Sequence, residues 1–256
     1  MTPVVPVYHQ RSEARRAFMR GYPRRLGTVR CCRTPQSVER LLAARLVDAV
    51  VVDVKAAPEV WLPLPVRFPR IPVFALSAFR PDDGPLVADC QRAGFAGVLV
   101  EPVDHAVAGE WVARRTAQVA RRRALGDAPR LLRLTDALQL RAWEEVWRRV
   151  AEPTKTCDLA RALRMTREHL SRQFAAGGAP NLKRVIDLVR TACAADLLAN
   201  PGYTVGNVAR ILAYASASHL AGAARRVAGA STQELRSLGP RGVLAAFIKG
   251  RTRSRP

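Results

Sequence analysis

Glu168, Ser171 and Arg172 fall on one side of a helical stretch whose other side carries Leu170 and Phe174, counting about 100° per residue. The run from Asp158 to Phe174 reads as a short helix, a tight turn, and a second helix opened by Thr166 as N-cap. An apolar back and a polar front are what a recognition helix needs to present side chains to base edges. The plan recurs about fifty residues further on, one residue longer. Ala160 then corresponds to Ala209, His169-Leu170 to His219-Leu220, and Phe174 to Ala224, with a connecting helix over 182–199 closed by Asn200-Pro201-Gly202. Other chemistries lack their residues. The sequence has no phosphate-binding glycine loop, catalytic triad or dinucleotide fingerprint, so neither an enzyme nor a cofactor is expected. His9 and His105 have no partners at metal spacing and are expected at the surface, with no metal site. Five cysteines without any Cys-x-x-Cys argue against a disulfide framework or a zinc knuckle. Cys31 and Cys32 are expected as small buried hydrophobes on a strand.

The charge of the chain points to a polyanionic partner. Of its 256 residues, 42 are Lys or Arg and 21 are Asp or Glu, a net charge of +21. The part after Ala128 is the denser, with 22 basic against 9 acidic residues, and it ends in Lys249-Gly-Arg251-Thr-Arg253-Ser-Arg255. A GC-rich genome accounts for Arg outnumbering Lys, but not for the failure of Asp and Glu to balance the total. Phosphate binding through counterion release accounts for the excess. With 48% hydrophobic residues, each half can bury a core. No apolar run approaches the ~18–20 residues of a membrane helix, and the N-terminus is too quickly charged for a signal peptide. A cytoplasmic, nucleoid-associated protein is expected.

Up to about Arg123 the pattern alternates. Candidate strands are Val4–Tyr8, Thr28–Cys32, Ala49–Val54, Val73–Leu76 and Gly97–Val100. Helical stretches fall between or after them, about Glu13–Arg20, Pro35–Arg45, Leu86–Ala93 and His105–Arg123. The runs 49–53 and 73–76 are apolar without alternation, as parallel strands covered on both faces are. This predicts a doubly wound α/β sheet, with the proline-rich stretch 57–72 as a loop. Beyond a linker at 124–133 the strand signals stop, and an all-α domain is expected. Its Trp143 and Trp147, on a helix over 137–150, are read as core.

The first part resembles the receiver domain of response regulators over roughly residues 3–123. Asp48-Ala-Val-Val-Val-Asp53 is similar to that family's third strand, which ends on the phospho-accepting aspartate. Val73-Phe-Ala-Leu-Ser77-Ala78 is similar to the fourth strand with its hydroxyl residue, and Gly97-Val-Leu-Val-Glu101-Pro102 to the run into the Lys-Pro pair. The departures bear on the chemistry. Where the family holds Mg²⁺ with an acidic pair, this chain reads Val7-Tyr8-His9-Gln10, and Glu101 replaces the balancing lysine. Phosphoryl transfer rests on positioning and charge neutralisation, so Asp53 is read as a vestigial phospho-acceptor and the domain as a degenerate, flavodoxin-like pseudo-receiver.

The tandem units resemble the DNA-binding domain of the AraC/XylS family of bacterial transcription regulators, over about 136–240. Matching residues include Leu159-Ala160, Thr166, Leu170 and Phe174, then Arg190, Val208-Ala209, Tyr214, Leu220 and Gly229. Ala213 and Thr232 stand where the family usually has Gly and Pro, and Ala224 replaces the second unit's core Phe. The resemblance implies base contacts from Glu168, Ser171 and Arg172 in the first unit and from Ser218, Ala221 and Gly222 in the second. Arg172 offers the bidentate contact to guanine and Glu168 an acceptor for cytosine N4. Arg167, Lys183, Arg184, His219, Arg225 and Arg226 complete the expected DNA-contacting set, the arginines mainly as phosphate clamps.

The expected organisation is a pseudo-receiver at 1–123, a linker at 124–133, the DNA-binding domain at 134–240 and a basic tail at 241–256. Expected partners are double-stranded DNA and a second copy bound through the first domain, with RNA polymerase as a further candidate. The alternatives are a phosphorylation-dependent response regulator and a low-specificity architectural DNA-binding protein.

Overall fold

The structure, a computed structural model, describes residues 3–253. It divides into two compact units. The first runs to Ala120 and takes in Asn200–Gly202, and the second comprises Arg121–Ala199 and the chain from Tyr203 onward.

The first unit is built on strands β1 (Val4–Tyr8), β2 (Thr28–Cys32), β3 (Val50–Val52), β4 (Val73–Ser77) and β5 (Gly97–Val100). All pairings are parallel, in the order β2-β1-β3-β4-β5. This is the flavodoxin-like order of a doubly wound sheet, as expected. β1, β3 and β4 are buried along their whole length, which is why their sequences run apolar without alternation. Helices α1 (Ser12–Gly21), α2 (Pro35–Ala44) and α5 (Gly84–Ala93) cross between strands. Pro35 opens α2 behind the Thr34 N-cap, and Gly94, at φ 87°, closes α5.

Two expectations for this unit need correction. The proline-rich stretch is not a plain loop: it forms two helical turns, α3 (Pro58–Trp61) and α4 (Leu64–Arg67), and buries Trp61, Leu64, Phe68 and Ile71. Proline is tolerated in a helix's first turn, where its missing N–H is not needed, so the prolines start these turns. The helix expected over 105–123 is broken into a 3₁₀ turn, α6 (Ala108–Ala113) and α7 (Ala117–Ala124). Gly109 lets α6 approach α1, since a Cβ there would stand 2.2 Å from the Gly21 carbonyl carbon.

The second unit is helical, as expected: α8 (Ala128–Leu131), α9 (Ala137–Arg148), α10 (Thr156–Ala162), α11 (Arg167–Phe174), α12 (Leu182–Leu198), α13 (Val205–Ile211), α14 (Ala217–Ala228) and α15 (Thr232–Arg253). α12 is the centre, with thirteen of its seventeen residues buried. Trp143 and Trp147 are core, packed edge to face at 6.0 Å. The stretch read as a linker is structured: Leu125, Ala128 and Leu132 are buried. The arginine run before it belongs to α7, and Arg121 is 2% exposed, its Nε 2.6 Å from Asp196 Oδ2 on α12. The stretch read as a tail is helical as far as Arg253, beyond a break at Gly239 (φ 60°), and buries Val243, Leu244 and Phe247. These apolar residues at helical spacing are what the charge of the segment masked. Residues 254–256 of that tail lie outside the described residues.

Candidate nucleic-acid interface and phospho-acceptor position

Both helix-turn-helix units start their second helix in the same way. Thr166 Oγ1 accepts from His169 N–H at 3.2 Å to cap α11, and Ser216 Oγ accepts from His219 N–H at 3.0 Å to cap α14. Behind α11, Leu170 and Phe174 are fully buried, and behind α14, Leu220 and Ala224 are too. Ala224 therefore fills the place of the expected aromatic ring with a single methyl.

The front of α11 exposes Arg167, Glu168 and Arg172, with Ser171 half-buried beside them. The front of α14 exposes Ser218, His219, Arg225 and Arg226 and leaves Ala221 and Gly222 half-buried. The two faces thus differ as their sequences do: the first carries long charged side chains, the second is short until its last turn. His169 is exposed, and the His219 ring stands edge-on to Tyr214 at 5.8 Å.

Lys183 and Arg184 are exposed in the first turn of α12, whose N-cap Asn181 Oδ1 accepts from Arg184 N–H at 2.9 Å. Two cations at the positive end of a helix dipole oppose each other's stability there, which suits a site that meets an anion. Arg184 also lies over the Phe247 ring at 5.0 Å. Lys155, Thr156, Arg167, Lys183, Asp187 and Arg190 line one cavity of about 300 Å³ beside the first helix-turn-helix unit. Lys155 carries no signal in the sequence; only the fold brings it to Arg167 and Lys183.

Two supporting contacts were likewise invisible. Buried Gln139 on α9 donates to the Phe174 and Ala176 carbonyls at 2.9 and 3.2 Å, and its Oε1 accepts from Thr135 and Asp136 N–H. It fixes the C-terminal end of α11. Arg190 donates to the Leu212 carbonyl at 2.6 Å and lies over the Tyr214 ring at 4.2 Å, which ties α12 to the turn of the second helix-turn-helix unit.

In the α/β unit, Asp53 directly follows β3, which is shorter than the strand expected over 49–54. Ser77 Oγ donates to Asp53 Oδ1 at 2.6 Å. His9 is no surface residue: it is 2% exposed, with Nε2 3.2 Å from Glu101 Oε2 and 3.6 Å from Asp53 Oδ2. Its Nδ1 accepts from Arg11 N–H at 3.0 Å, so the proton of the neutral ring sits on Nε2, facing both carboxylates. Burial lowers the His9 pKa against the pull of Asp53 and Glu101. Glu101, whose side chain is fully buried, also meets His105 Nε2 at 2.8 Å and the Arg11 guanidinium at 3.4 Å. His105 is correspondingly a partner and not a bystander. Sequence spacing missed this cluster because its members come from the ends of three different strands. Cys32 is buried as expected, but Cys31 is exposed, because β2 is an edge strand and neighbouring side chains point to opposite faces; all five thiols are free.

Residues 159–237 match a family described as a helix-turn-helix domain. No curated protein matches the chain. Among solved structures, the chain is similar to a response regulator from Thermotoga maritima (23% identity, 44% of this chain and 97% of that one, TM-score 0.39). It is also similar to full-length FixJ from B. japonicum (16% identity, 88% and 98% covered, TM-score 0.40). The C-terminal part of the chain is an AraC-type helix-turn-helix domain, and it follows a receiver-like α/β domain.

Proposed function

We propose that the protein is a sequence-specific, DNA-binding transcription regulator and not an enzyme, and that its receiver-like domain works without phosphorylation. The observation that carries the reading is the pair of helix-turn-helix units, each with a capped second helix, a buried apolar back and an exposed polar front. Glu168, Ser171 and Arg172 read bases from the first unit, with Ser218 the lesser reader in the second. Arg167, Lys183, Arg184, His219, Arg225 and Arg226 hold the backbone, joined by Lys155.

Phosphorylation independence is supported by the His9–Glu101–His105 cluster. The His9 ring lies against Asp53 from the side of β1, and Glu101 holds a negative charge where a phosphoryl group would need a cation. No group of His, Cys, Asp and Glu suited to a metal ion occurs among the described residues. Self-association through the first domain is supported by Val100, Val103 and Val107, which are 36, 79 and 55% exposed along the β5 edge and the turn after it. RNA polymerase is the further partner in this reading, and the location is the cytoplasm, on the nucleoid. No helix among the described residues is long and apolar enough to cross a membrane.

The test combines acetyl phosphate and Mg²⁺ with intact mass and DNA binding. The expected result is no added phosphoryl mass and unchanged affinity for a preferred duplex. Stoichiometric labelling that disappears in Asp53→Asn would instead establish a phosphorylation-dependent regulator.

A further inference from the structure

We propose that the receiver-like domain binds a small carboxylate with an apolar body, in a cavity between the C-terminal end of α1 and the N-terminal end of β2. The inference does not rest on the DNA-binding reading. The cavity lies at the end of the sheet opposite Asp53, since Asp53 follows the last residue of β3 whereas the cavity meets the first residues of β2. Its volume, about 420 Å³, is that of a small-molecule site.

Three features define the occupant. Tyr22, 3% exposed, lines the cavity, and its hydroxyl makes no hydrogen bond. A buried hydroxyl without a partner is unfavourable and calls for an acceptor from outside the chain. Burial, reinforced by Asp48, holds this phenol above its usual range, so it remains a donor. Gly27 leaves the space beside the hydroxyl unfilled: a Cβ there would stand 3.3 Å from Tyr22 Oη and 3.0 Å from the Pro3 carbonyl oxygen.

The second feature is charge. Arg20 and Arg24 line the same cavity, both are exposed, and neither has an ion-pair partner among the described residues. The negative end of α1 amounts to about half an elementary charge, which leaves most of the two guanidinium charges uncompensated. A carboxylate supplies what both features lack, an anionic acceptor for two guanidinium groups and one phenol. The third feature is the apolar wall. Met19, 45% exposed, and half-buried Val29 offer a surface that a bare inorganic anion would not use.

The experiment uses the full chain with ¹³C-methyl methionine and benzoate as the probe. Met165, in the other unit, serves as the internal control. Benzoate is expected to shift the Met19 methyl resonance saturably and leave Met165 unmoved. Benzyl alcohol and inorganic phosphate should each bind at least tenfold more weakly, the first lacking charge and the second the apolar body. The double variant Arg20→Ala/Arg24→Ala should weaken benzoate at least tenfold. Tyr22→Phe should weaken it severalfold while the melting temperature of the free protein stays level or rises, because no existing hydrogen bond is removed. No saturable Met19 shift overturns the proposal, as does benzoate binding that ignores both variants. Phosphate binding as tightly as benzoate overturns it too, in favour of an adventitious ion only.

Discussion

Arg164 and Ala213 hold the same left-handed backbone position in the two helix-turn-helix turns, at φ 56° and 54°. The surrounding hydrogen bonds repeat as well. Arg164 N–H meets the Arg161 carbonyl at 3.1 Å and Ala213 N–H the Arg210 carbonyl at 3.1 Å. The next residue then reaches back five positions, Met165 to Ala160 at 3.0 Å and Tyr214 to Ala209 at 2.8 Å. Each turn closes on the alanine that aligns between the two units in the sequence. The tandem is therefore a repeat of backbone geometry, with a side chain in each unit sitting where glycine would be unstrained.

Replacing either residue by glycine should relieve that strain. Ala213→Gly is expected to stabilise the second helix-turn-helix unit by about 0.5–1 kcal/mol, the left-handed penalty less the extra chain entropy of glycine. Urea unfolding of the full chain measures it, and a drop in stability would show that the turn is held without strain.

His9 gives the first domain a pH dependence of known sign. Its folded pKa is lowered, above all by burial, while the unfolded chain titrates near the ordinary 6.5. Between those values only the unfolded chain takes up the proton, so stability falls as pH drops below about 6.5. The slope approaches about 1.4 kcal/mol per pH unit for one proton. Asp53, Glu101, Arg11 and Arg15 all face the ring and set the lower end of the window. Urea unfolding of wild type and His9→Gln from about pH 7.5 to 5.5 should show the slope only in the wild type.

The Arg121–Asp196 pair predicts where the second domain begins. Both side chains are largely buried, 2 and 11% exposed, and breaking a buried pair strands a charge. Asp196→Asn should cost about 3–5 kcal/mol, and an Arg121→Met/Asp196→Leu double variant should recover most of it. A fragment starting at Pro129 lacks Arg121 and should be less stable than one starting at Thr116; equal urea midpoints would contradict this.

The parts of the fold that the sequence announced are those governed by local pattern. Val4–Tyr8, Thr28–Cys32 and Gly97–Val100 are the strands their apolar and β-branched runs predict. Thr166 is the cap that its place before a periodic stretch requires. What was missed depends on contacts between distant residues. His9, Glu101 and His105 meet only because parallel strands deliver their ends to one edge of the sheet. Arg121 reads as one member of an exposed charge run because its partner lies 75 residues away. Gln139 looks like an ordinary helix residue until the end of α11 is set against it.

The most direct measurement of the central claim is competition binding of the full chain on a preferred duplex and its single-base variants, at two salt concentrations. In the base-reading set the exposed face of α11 offers Arg172 with Glu168, whereas α14 offers Ser218 and, a turn later, Arg225 and Arg226. Arg172→Ala should cost about 1–3 kcal/mol on the preferred site and relax discrimination at one position. Arg225→Ala and Arg226→Ala should weaken all sequences alike and flatten the salt slope by about one unit for each phosphate left unneutralised. Ser218→Ala should change little. Equal weakening on preferred and random DNA in Arg172→Ala would make Arg172 one more phosphate clamp and would contradict sequence-specific reading by the first helix-turn-helix unit.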